Sequence, residues 1–274
     1  MKALFSRPWI LGLAIVLCLL PFQLAVFHPD NAEDELVPVR HKEGLVHGFL
    51  VLRSADGKLL ANGDLIQTAV GDRVTSELIF HFKDGSSRSE TAVFSQSDNF
   101  KLLSDHLIEK GPAFKNPAEI LIDASNREVK VRYAGNDGRE KVDTDHMELP
   151  GNLANGLIFI LLKNIDPMSS RTTLSMIAST PKPRLVKLVV TPQGEEPFLI
   201  GGSRRMATHY VGKLEIGGVA GVVAPLVGKN PPDTHVWILG GEAPAFLKSA
   251  GPLYSGGPVW RIELSSPAYR STPN

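Results

Sequence analysis

From residue 43 onward the chain is written in short apolar runs separated by Gly, Asn and Asp, the texture of strands joined by tight turns. Leu45 to Leu52, Leu59 to Ile66 and Val74 to Phe82 come first. Glu77 to Phe82 and Ser89 to Phe94 flank Lys83-Asp84-Gly85-Ser86, and Asp-Gly is a favoured hairpin turn. Ala118 to Ile122 and Glu128 to Tyr133 flank Ala124 to Arg127. There Val129, Val131 and Tyr133 alternate with Lys130 and Arg132, so one face is wet. Asn136-Asp137-Gly138 then turns the chain into Arg139 to Met147. The pattern predicts a meander of antiparallel hairpins.

Asn152 to Ile165 changes period. Leu153, Leu157, Ile160 and Leu161 fall at helical spacing, Asn152 can cap, and Pro167 follows. The segment is too short to span a bilayer as a helix, so it predicts one buried helix against the sheet. Strand patterns resume at Thr172 to Ala178, Arg184 to Thr191, Phe198 to Ile200 and Arg205 to Ile216. In the last, Met206, Thr208, Tyr210, Leu214 and Ile216 share one face, and Arg205, His209, Lys213 and Glu215 the other. Beyond it Gly and Pro are frequent, and Val219 to Val227, Val236 to Leu239 and Val259 to Leu264 read as further strands. Their near-continuous apolar runs imply cover on both faces.

The first 27 residues differ in kind. Lys2 and Arg7 precede an uncharged stretch from Pro8 to Phe27, long enough to cross a bilayer core of ~30 Å as an N-terminal apolar helix. Gln23-Leu24-Ala25 is a poor cleavage signal, so a signal anchor and a cleaved signal peptide both fit. Either places the bulk of the chain outside the cytoplasm, in the periplasm or on the outer face of the inner membrane. The expected organisation is residues 1–27 for export, 28–42 as an acidic flexible tether, 43–264 as one β-rich domain and 265–274 as a tail. The one plausible seam, Ile165 to Ser170, leaves a single continuous sheet the favoured arrangement.

Charge narrows the partners. The chain has 29 Lys and Arg against 29 Asp and Glu, and setting aside Lys2 and Arg7 leaves 27 basic against 29 acidic. That is no footprint for nucleic acid. A membrane enters only through residues 8–27, if they are retained. Cys18, the sole cysteine, sits in the apolar stretch, which excludes disulfides and a thiol nucleophile in the domain. Gly202-Ser203-Arg204 and Gly85-Ser86-Ser87 lack the second glycine of a nucleophile elbow. Asp143, Asp145 and His146, like Asp233 with His235, read as surface strand polars rather than metal ligands. No motif implies a cofactor.

Two clusters could hold a ligand. Trp237, Phe246, Tyr254 and Trp260 concentrate aromatic surface in late strands, which suits an aromatic-lined pocket or an ordinary core. Arg204 and Arg205, following Gly201-Gly202 and leading to His209, suit a carboxylate or phosphate group or a solvated strand end. Glu242, Arg261 and Glu263 read as a charged surface face.

The order of an apolar export segment, a β meander, Glu148-Leu149-Pro150 leading to a short helix ending at Ile165, and further strands resembles exported bacterial proteins of unknown function. Their domains are similar to the periplasmic lipoprotein carriers of the Lol type. Gly217 to Gly228, Pro231 to Trp237 and Gly251 to Arg261 also resemble such exported proteins. The resemblance covers about residues 43–264, at the level of architecture. It implies a mainly β fold: a strongly curved antiparallel sheet, an open half-barrel, whose concave face is filled by helical material and in the carriers holds acyl chains. No carrier residue maps to a position here.

The leading expectation is a cell-envelope or periplasmic binding module that holds an apolar or amphipathic small molecule in the sheet concavity. The alternative is a structural or interaction domain with a filled core, and a hydrolase using Asp143 or His146 comes third. A carrier requires a cavity of ~300 Å³ or more.

Overall fold

Fourteen strands hydrogen-bond into one antiparallel sheet in the order β8-β7-β6-β5-β4-β3-β2-β1-β14-β13-β12-β11-β10-β9. This is seen in a computed structural model that describes residues 35–135, 137–178, 180–215 and 231–265. The described residues belong to one compact unit, Ala32–Asn274. The strands are β1 (Val46–Ser54), β2 (Leu59–Val70), β3 (Arg73–Phe82), β4 (Ser87–Gln96), β5 (Phe100–Lys110), β6 (Ala118–Asp123), β7 (Glu128–Ala134) and β8 (Glu140–His146). After a single helical turn, α1 (Ile158–Leu162), come β9 (Thr172–Ala178), β10 (Arg184–Ile200), β11 (Ser203–Glu215), β12 (Thr234–Leu239), β13 (Ala245–Pro252) and β14 (Val259–Leu264). The expected Val219 to Val227 strand, the apolar N-terminal segment and the tail beyond residue 265 lie outside the described residues. No helix among the described residues is long and apolar enough to cross a membrane.

The topology explains the shape. β1 to β8 meander away from β1, the chain then crosses to the far edge, and β9 to β14 meander back until β14 pairs with β1. The sheet therefore curves without closing, with β8 and β9 as its edges, and the crossing connector (residues 147–171) must travel over one face. That inner face is apolar. Leu50, Gly63 and Phe80 form one cross-strand row, and Val74 and Phe94 another, with Phe80, Val74 and Phe94 fully buried.

Two expectations change. The helix expected over Asn152 to Ile165 shrinks to α1, and Asn152 does not cap it. Instead residues 152–155 protect the free edge of β9. Asn152 Nδ2 donates to the Thr173 carbonyl at 3.2 Å. Asn155 Oδ1 accepts from Ile177 N at 2.8 Å, and Asn155 Nδ2 donates to the Ile177 carbonyl at 3.1 Å. Satisfying an exposed strand edge outweighs helical propensity there. Residues 35–42, expected as a flexible tether, form a strap instead. Val39 N donates to the Asp98 carbonyl and Phe100 N to the Val37 carbonyl, while Val37 is buried.

Candidate functional site: a filled hollow

The inner face is filled by chain that does not belong to the sheet. Leu153, Leu157, Ile160, Leu161, Leu162 and Ile165 of the connector are all buried in the core. Leu157 and Leu161 are an i, i+4 pair, so one turn of helix presents both to the same wall. The strap crosses the rim where β1 begins and β2 ends, and polar latches tie it to the connector. Asn164 Oδ1 accepts from Arg40 N at 3.0 Å and His41 N at 2.7 Å, while its Nδ2 donates to the Ile160 carbonyl. Lys163 Nζ meets Glu43 Oε1 at 2.5 Å, and Gln67 Nε2 donates to Glu43 Oε2 at 2.7 Å. Tyr210 Oη donates to the Ile165 carbonyl at 3.2 Å, and burial pushes its phenol up to about 12.

Between strap and connector lies a cleft of about 90 Å³, bordered by Glu35, Val37, Arg40, Asn164, Ile165 and Asp166. Liquid water occupies ~30 Å³ per molecule, so the cleft has room for a few waters and not for an acyl chain.

Beneath the connector sits a charged cluster that the sequence pattern does not announce. Arg88 and Glu90 on β4 and Asp105 and Glu109 on β5 all point to the inner face. Arg88 Nη1 donates to Glu90 Oε2 at 3.1 Å, and Arg88 Nε lies 3.4 Å from Glu109 Oε1 without hydrogen-bond alignment. Burial pushes Glu109 up to about 7, against the pull of Arg88. Burial, with the Glu90 charge adding to it, raises Asp105 well above the usual carboxylate range. Asp105 Oδ1 has no hydrogen-bond partner and faces Gly156 of the connector. The signal was parity: in β4, Arg88 and Glu90 share a side with the buried Ala92 and Phe94, not with Ser89, Thr91 and Ser95. These titratable groups converge, but under the connector rather than in an open cleft. Among the described residues no three His, Cys, Asp or Glu side chains are arranged to hold a metal ion.

The aromatic set from the sequence divides between faces. Trp260 packs edge-on to Phe114 and Tyr254 and tilted to Phe82, and Tyr254 Oη donates to the Ala113 carbonyl, so these are core and rim fillers. Phe246 packs tilted against Phe159 of the connector, with ring centroids 4.3 Å apart, which makes it a hollow-lining residue. Trp237 faces outward. It stacks on His209 at 4.5 Å, lies under Lys248 Nζ and donates from Nε1 to Glu196 Oε2 at 2.9 Å. Glu196 Oε1 lies 3.0 Å from His209 Nδ1, and His209 Nε2 lies 2.9 Å from His235 Nδ1. Burial lowers His209 below the usual imidazole range, more than Glu196 restores it. Arg204 and Arg205 sit on the exposed end of the β10–β11 hairpin, apart from both groups. Arg261 and Glu263 form an outer-face ion network with Arg53.

No protein-family model matches the chain, and no curated protein matches it. Among solved structures, a β-barrel-like protein of a domain of unknown function, DUF1849, from Brucella abortus aligns with 81% of this chain and 98% of that chain, at a TM-score of 0.43 and 7% identity. The resemblance to carriers of the Lol type finds no support in these comparisons.

Proposed function

We propose that this chain is an exported cell-envelope binding module whose inner face takes up an apolar or amphipathic molecule in exchange for its own connector. One observation carries this reading: the hollow of an unclosed sheet is filled by a segment, Leu157 to Ile165, that side chains latch to the wall, while only the residues before it, Leu153 and Ala154, pair with the edge of β9 at Ser175. The inner lining is apolar with a small number of buried charged groups, the composition of sites for amphipathic ligands. The cleft of about 90 Å³ between strap and connector is too small for such a guest, so uptake there requires the connector to move. The same tight packing favours a second reading, an interaction domain without a ligand.

Native mass spectrometry of the gently purified full chain separates the two. The binding module gives a stoichiometric adduct of one amphipathic species. Non-stoichiometric lipid, or none after incubation with fatty-acid vesicles, overturns it in favour of the interaction domain.

A further inference from the structure

Among the described residues four large apolar side chains stand out by exposure: Met168 at 89%, Leu45 at 85%, Val70 at 83% and Leu199 at 80%. Neighbouring strands are all antiparallel, so odd-numbered strands start, and even-numbered strands end, at one rim. Leu45 precedes β1, Val70 ends β2, Met168 precedes β9 and Leu199 lies next to the end of β10. All four therefore belong to the same rim. Single exposed apolar residues need no explanation, but their confinement to one edge of a sheet does.

From that rim the β10–β11 hairpin projects as an arm. β9 stops pairing with β10 at Val190, β12 stops pairing with β11 at Ala207 and Gly240 N donates to the Met206 carbonyl, so from Phe198 and Arg205 outward the two strands have only each other. Three residue pairs at ~3.3 Å each give an arm of ~10 Å. Gly201 and Gly202, with φ of 57° and 80°, close it in a left-handed two-residue turn that other residues seldom adopt. Residues 197–206 contain Arg204 and Arg205 and no acid. By register, Leu199 and Arg204 share one face, and Phe198 and Arg205 the other. A contact with a protein surface along one face would segregate apolar from charged residues. Here each face carries both, which suits end-on insertion with the guanidinium groups reaching back to anionic headgroups.

The start of the described chain adds a second constraint. Thr173 N donates to Glu35 Oε2 at 3.4 Å, which holds Glu35 beside the start of β9 and so at this rim. The uncharged stretch ends at Phe27, and the seven intervening residues span at most ~25 Å. A bilayer holding residues 8–27 would lie within reach of this rim.

We infer that the rim bearing Leu45, Val70, Met168 and Leu199 seats on an anionic lipid surface, with the β10–β11 arm inserted. This stands whether or not the hollow takes a guest. The test uses the full chain carrying Cys18→Ser in vesicles of phosphatidylcholine, with or without an equal part of phosphatidylglycerol. A nitroxide is attached at Leu199→Cys or, on the opposite rim, at Asp56→Cys. Oxygen and nickel-chelate relaxation should report apolar immersion at 199 on the anionic vesicles and an aqueous probe at 56. Each basic residue near such a surface contributes ~1 kcal/mol, so Arg204→Glu with Arg205→Glu should lower the immersed-to-free ratio by about 30-fold or more with circular dichroism unchanged. An aqueous probe at 199 on both vesicle types overturns the inference. So does spin–spin broadening between labelled copies, which would make the arm's occupant a second copy of the chain.

Discussion

Lys163 of the connector and Glu43 of the strap meet at 2.5 Å in the interior, and neither belongs to a strand. Two crossing segments are thus joined by an ion pair whose carboxylate also accepts from Gln67 Nε2, while Gln96 Nε2 donates to the Glu43 carbonyl. Removing one partner leaves a buried charge unpaired, which costs ~3–5 kcal/mol. Lys163→Met should therefore lower Tm by ~10 °C in a domain of this size. Lys163→Met with Glu43→Gln should recover more than half of that loss. Thermal scans of both variants check the non-additivity.

Stability should fall as pH rises through the window set by Glu109. Below about pH 4.5 its carboxyl is protonated in both folded and unfolded chains. Between there and about pH 7 the unfolded chain ionises first, because burial holds the folded group up to about 7. The loss is on the order of 3 kcal/mol and levels off above pH 7. Asp105, raised by burial, acts in the same direction. Urea midpoints at pH 5 and pH 8 should show the decline, and Glu109→Gln should flatten it by stabilising the protein at pH 8.

Gly156 is where the connector rests on the charged cluster. Its φ is +65°, and an added Cβ would lie 2.6 Å from Ala92 Cβ and 2.8 Å from Asp105 Oδ1. Gly156→Ala should cost ~2–4 kcal/mol through strain and overlap together. Gly85→Ala, with φ of +85° and open space around it, should cost only the conformational part, ~1 kcal/mol. Denaturant melts of the two variants give the difference.

Hairpin chemistry was legible in the residues. Asp84-Gly85 joins β3 to β4, Ala118 to Ile122 pairs with Glu128 to Tyr133, and β9 and β14 keep the bounds expected from the residues. What failed depended on long-range pairing. Arg184 to Thr191 and Phe198 to Ile200 read as separate strands, yet β10 runs through Pro192 and Pro197 to Ile200, beyond the point where β9 has ended and β10 is an edge on that side. β13 was missed because Lys248, Gly251 and Pro252 are weak strand formers held between two neighbours. In the candidate site, Trp237 and Trp260 looked alike in sequence. The register puts them on opposite faces, and periodicity alone does not say which face a curved sheet fills. The Arg88 cluster was hidden by its charge, since a polar residue in a half-buried strand is ordinarily read as solvated.

The most direct test of the exchange between connector and guest is amide hydrogen exchange of the full chain with and without cis-parinaric acid. The amides of Ile160, Leu161, Lys163, Asn164 and Ile165, all hydrogen-bonded within the connector, report its docking. Displacement predicts at least tenfold faster exchange at these sites under saturating probe, with β4 and β5 amides still protected. Unchanged connector protection with the probe bound, or no binding at all, would contradict the account.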